Sequence, residues 1–111
     1  MLGIKCIVSI VERGKAKSIV NAAKKAGATG ATIFYGRGTG DSEVKKFLKV
    51  NIESSKEIIL VLSEKKDIKR VVTGMVEAGN LLEPGRGIIF TVPIDNLIGL
   101  HHREDFEKFG E

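Results

Sequence analysis

The amino-acid sequence predicts an α+β fold, one antiparallel sheet with two helices on a single face. Two observations carry this. Two amphipathic helix patterns, at 15–26 and 67–78, each lie between runs of β-type residues, giving the order βαβ, loop, βαβ within 111 residues. Both helix patterns also close on Ala-Gly, at Ala26-Gly27 and Ala78-Gly79, which suggests one unit used twice.

Gly3 to Val11 alternates as a strand. Ile4, Cys6, Val8 and Ile10 share one face, and Lys5, Ile7, Ser9 and Val11 the other. Glu12-Arg13-Gly14 is a turn. Lys15 to Ala26 places Ala16, Ile19, Val20, Ala23 and Ala26 on one helical stripe. Lys24 and Lys25 complement its C-terminal dipole, and Gly27 is a fitting C′ residue. Ala31 to Tyr35 is the second strand. The segment 41–56 reads either as a short helix capped by Asp41 or Ser42 or as a long mobile loop. Glu57 to Leu62 is the third strand. Asp67 to Ala78 is the second helix, with Ile68, Val71, Val72, Met75 and Val76 on its stripe and Gly79 as its stop. In the loop 80–87, Leu81 and Leu82 are expected to tuck under the fold. Ile88 to Val92 is the fourth strand, closed by Pro93. Residues 101–111 form a charged tail.

This order gives a ferredoxin-like βαββαβ sandwich. The face of the sheet away from the helices also carries Ile, Val and Leu. An apolar sheet face left bare is a liability, so association through the sheet is expected.

The length fits one domain. No apolar run approaches the ~20 residues that span a membrane, and Met1 to Val11 has no signal-peptide pattern. Cys6 is the single cysteine, which excludes an internal disulfide and makes a cytoplasmic location the default expectation. The net charge of +4 comes from interspersed residues, with no basic block longer than two and no aromatic RNA-recognition pattern, so nucleic acid is not an expected partner.

The chemistry gathers in two glycine-rich segments. Gly36-Arg37-Gly38-Thr39-Gly40 follows the second strand, and Gly85-Arg86-Gly87 precedes the fourth. Glycine permits positive φ and leaves backbone N–H groups open to an anion, while arginine suits phosphate or carboxylate. Either segment alone is most simply a tight turn with a solvated arginine. The pair, facing one cleft within a subunit or across an interface, would hold phosphates. Neither matches a dinucleotide fingerprint or a P-loop in spacing. His101-His102 lacks the further ligands of a metal site, and no nucleophile–base set marks a catalyst.

From Ile4 to about Leu100 the chain resembles the PII signal-transduction family. The resemblance rests on Gly27-Ala-Thr-Gly30, on Gly36 to Gly40, on Glu57-Ile-Ile-Leu-Val61 and on Glu83-Pro-Gly-Arg-Gly-Ile-Ile-Phe-Thr-Val-Pro93. It implies a non-enzymatic homotrimer that binds an adenine nucleotide (ADP, AMP or ATP) between subunits and has no obligatory cofactor. It also implies control of a partner, a membrane transporter or metabolic enzyme, through the T-loop-like segment 41–56. By the same resemblance Thr32 sits at the base, Arg37, Gly38, Thr39 and Gly40 at the loop root, and Gly85, Arg86 and Gly87 in the phosphate loop. His101, His102 and Arg103 would substitute in part for a basic pair.

The chain departs from the family pattern in four respects. The T-loop segment is short and lacks tyrosine, Arg86 stands where an acidic residue is usual, and Ile88 stands where a lysine is usual. The family's basic pair would fall near Gly99 and His101. Two other readings follow from the residues: a ferredoxin-like scaffold or metal-tolerance module without nucleotide binding, and an acyl-phosphate hydrolase of the same fold.

Overall fold

A computed structural model describes residues 3–38 and 54–99. Four strands build one sheet in the order β2-β3-β1-β4: β1 Ile4–Glu12, β2 Gly30–Gly38, β3 Ser54–Glu64 and β4 Gly87–Pro93. All neighbours are antiparallel. Helices α1 (Ala16–Lys25) and α2 (Ile68–Gly79) pack on one face, and a short 3-10 turn, Lys65–Asp67, leads into α2. This is the expected ferredoxin-like sandwich. β2, β3 and β4 are longer than the hydrophobic runs suggest, because backbone pairing continues beyond them. Ser54, Ser55 and Lys56, expected in the loop, belong to β3 and pair with Gly38, Arg37 and Gly36.

Between helices and sheet, Ile7, Val11, Ile19, Ile59, Val61, Val71 and Met75 are fully enclosed. Burying each such side chain favours folding by about 1.5–3 kcal/mol. The β1 residues beneath the helices are Ile7, Ser9 and Val11, paired with Val61, Ile59 and Glu57. Ser9 is wholly buried there, and its hydroxyl donates to the Ile88 carbonyl at 3.0 Å.

The row Cys6, Val8 and Ile10 lies on the opposite, uncovered face with Ile58, Leu60 and Leu62. Phe34, Ile88, Phe90 and Val92 extend this face to both edges, and each is exposed. The more uniformly apolar row of β1 is thus the one the helices do not cover.

The helix ends are set by backbone geometry. Gly27 has φ +110°, and the N–H groups of Gly27 and Ala28 donate to the carbonyls of Lys24 and Ala23, closing α1 as a Schellman motif. In α2 the left-handed residue is Asn80, φ 51°, not Gly79. Gly79 is the last helical residue. A Cβ there would lie 2.9 Å from Ile19 Cδ1 and 3.1 Å from Leu81 Cδ2, so the glycine permits close packing on α1 and does not itself end the helix. Leu81 packs on the core as expected, whereas Leu82 is 90% exposed. Arg70 fastens the helices together: its Nε donates to the Ala26 carbonyl at 2.8 Å, and its guanidinium pairs with Asp67 at 2.6 Å.

Candidate functional site

Gly36, Arg37 and Gly38 do not form a loop. They are the last residues of β2, paired with β3, and neither glycine has positive φ. The expected anion concavity is therefore absent at these three residues, because ladder pairing claims the backbone that a loop would expose. Gly36 lies on the uncovered face. A Cβ there would meet Ile58 Cδ1 at 2.8 Å. Arg37 lies on the helix-side face, exposed and opposite Ser55, with no carboxylate in salt-bridge distance among the described residues. Two residues back on that face, Tyr35 receives the Arg13 guanidinium 5.3 Å from its ring centroid. Neither Arg13 nor Tyr35 belongs to the two glycine-rich segments that stand out in the sequence. Their signal was the period of two that places Tyr35 beside Arg37.

The second segment is a true turn. Gly85 has φ +82° and Gly87 φ +139°. The Arg86 N–H donates to the Glu83 carbonyl at 3.3 Å, and its side chain pairs with the Glu83 carboxylate at 3.1 Å. Gly87 is required, since a Cβ would stand 2.5 Å from the Ile10 carbonyl oxygen. Ile88, where the resemblance places a phosphate-gripping lysine, is half exposed on the uncovered sheet face opposite Ile10.

Both segments lie at the same end of the sheet, where Gly38 pairs with Ser54 and Gly87 with Val11. They sit on opposite edges, β2 and β4, with β3 and β1 between them. Three strand spacings amount to about 14 Å. One subunit therefore does not bring them into one cleft. Thr32 lies five residues before Arg37 on β2, about 17 Å away along the strand. It faces the uncovered side opposite Leu60. Thr39, Gly40, His101, Arg103, the segment 41–53 and the tail 101–111 lie outside the described residues.

No group of three or more potential metal ligands occurs among the described residues. No described helix is long and apolar enough to cross a membrane. The family model described as "Nitrogen regulatory protein P-II" matches residues 4–104, which includes every element above. The chain belongs to the P-II family. Proteins of the P-II family are regulatory signal transducers and not enzymes, which removes the hydrolase reading. A search of curated proteins found no match. Among solved structures, Arabidopsis thaliana PII bound to citrate is similar, with a TM-score of 0.69 and 20% identity over 89% of this chain and 84% of that chain. At that identity the likeness concerns the P-II fold.

Proposed function

We propose that this P-II protein senses an adenine nucleotide (AMP, ADP or ATP) held between subunits of a homotrimer. Occupancy biases the segment between β2 and β3 toward or away from a partner protein, a membrane transporter or a metabolic enzyme. The observation that carries the reading is the placement of Arg37 and Gly85-Arg86-Gly87 at one end of the sheet but on opposite edges. A cyclic, head-to-tail association keeps that end common to all subunits. It sets the β2 edge of one subunit beside the β4 edge of the next, completing a cleft that one chain lacks. Residues 39–53 leave and re-enter the sheet at this corner, between the paired Gly38 and Ser54. A ligand here would shift that segment by its unequal affinity for two loop states.

Two features argue for modest phosphate affinity. Glu83 already pairs with Arg86, and Ile88 supplies no charge. The Arabidopsis protein was solved bound to citrate, so a carboxylate effector belongs in the same test. The test is a thermal-shift panel of AMP, ADP, ATP and citrate on the full chain. A ligand at 100 times its Kd stabilises by about 2.7 kcal/mol. The expected result is a shift with one ligand, abolished by Arg37→Ala or Arg86→Ala. A flat panel on an intact oligomer would overturn the sensor reading in favour of a scaffold.

A further inference from the structure

From Arg13 to Arg37 the chain carries six basic residues (Arg13, Lys15, Lys17, Lys24, Lys25 and Arg37) and no Asp or Glu. The fold displays much of this charge on one surface. Lys17, Lys24 and Lys25 are exposed on α1, outside its buried stripe. Lys69 is exposed on α2, and Lys65 on the turn before it. The Arg70 bond to Ala26 holds the C-terminal end of α1, with Lys24 and Lys25, against the first turn of α2. Among the described residues no carboxylate lies within salt-bridge distance of these five lysines. Asp67 is held by Arg70, and Glu64 pairs with Lys66.

The same surface has no apolar anchor. The exposed large hydrophobic residues lie on β2, on β4 and in the segments flanking β4, and none is on α1 or α2. Protein interfaces are depleted in lysine and depend on buried aromatic, apolar or arginine anchors. Specific phosphate and base contacts in nucleic acid favour the bidentate arginine fork, and single strands need aromatic platforms. A two-helix surface studded with lysine point charges suits instead a diffuse, planar anionic surface, where each lysine adds attraction without a fixed geometry.

We infer that the α1–α2 face is a peripheral docking surface for an anionic lipid bilayer, held by charge alone. The inference is independent of the nucleotide reading, since the five lysines it rests on lie outside both arginine-bearing glycine segments. The test is co-sedimentation of the full chain with vesicles of phosphatidylcholine, alone or mixed with phosphatidylglycerol, at low and high salt. Binding is expected only to the mixed vesicles and is expected to fall at high salt. Each Lys→Gln change should weaken it by about fivefold, so Lys24→Gln/Lys25→Gln/Lys69→Gln should weaken it about a hundredfold. Lys5→Gln, on β1, should leave it unchanged. Lys24, Lys25 and Lys69 are exposed and Lys5 is half-buried, and circular dichroism on each variant verifies the fold. Equal binding to neutral vesicles, an unaffected triple variant, or no vesicle binding would each overturn the inference. So would binding confined to duplex DNA or polyglutamate in parallel assays.

Discussion

The carboxylate of Glu57, on β3, accepts hydrogen bonds from the backbone N–H groups of Gly14 and Ala16, the latter at 3.1 Å. It is buried, and Lys15 at the N-cap of α1 supplies no side-chain cap. A residue more than forty positions away therefore satisfies one orphan donor of the helix, the Ala16 N–H, and places a carboxylate at its positive end. Glu57→Ala leaves both N–H groups without a partner. It should cost about 1–3 kcal/mol, seen as a lower urea midpoint at unchanged m-value. Glu57→Gln keeps an acceptor and should cost less.

Gly87 and Gly38 make opposite predictions. Gly87 combines φ +139° with a backbone oxygen 2.5 Å from where a Cβ would stand. Gly87→Ala should destabilise by more than about 1 kcal/mol. Gly38 has ordinary strand geometry, and its Cβ would make only van der Waals contact with Lys56. Gly38→Ala should stay within about 0.5 kcal/mol of the parent. Parallel urea titrations compare the two.

These glycines show what the sequence could tell. Hydrophobic patterning located the four described strands and both α-helices, and with them the fold, because core burial is a local pattern repeated along the chain. It misread the glycines, because Gly36-Arg37-Gly38 has the composition of a loop yet pairs with Ser54, Ser55 and Lys56 far along the chain. It placed the helix stop at Gly79 instead of Asn80 for a similar reason: the neighbour that requires a glycine at 79 is Ile19, on the other helix. The two arginines were legible. Their separation to opposite edges of one sheet was not, since strand order is a tertiary property.

Cys6 offers a pH test. Burial pushes its thiol pKa above the ordinary value, with a smaller opposing effect from a backbone hydrogen bond. The folded thiol therefore keeps its proton at pH values where the unfolded thiol has ionised. That contribution to stability is complete below the unfolded pKa and is lost as pH rises through the folded one. Stability should fall between about pH 8 and pH 10 more steeply in the parent than in Cys6→Ala. Paired urea titrations across that range measure the difference, and equal slopes would refute it.

The uncovered sheet face makes the last prediction. Val8 of β1 stands opposite Leu60 of β3 and Phe90 of β4, the centre of an apolar surface running from Phe34 to Val92. A single chain would leave this surface in water, while the buried helix-side face already supplies a core. Association of subunits through it removes the apolar area from solvent and orients both helices outward. Replacing Leu60 by Asp would bury a charge without a partner in such an interface. If the proposed homotrimer forms through this face, Leu60→Asp should convert it into a species of 12.0 kDa by light scattering. Lys17→Asp, on the outward helix face, should leave the oligomer intact. A parent already at the mass of one chain would show that the face is not used for self-association.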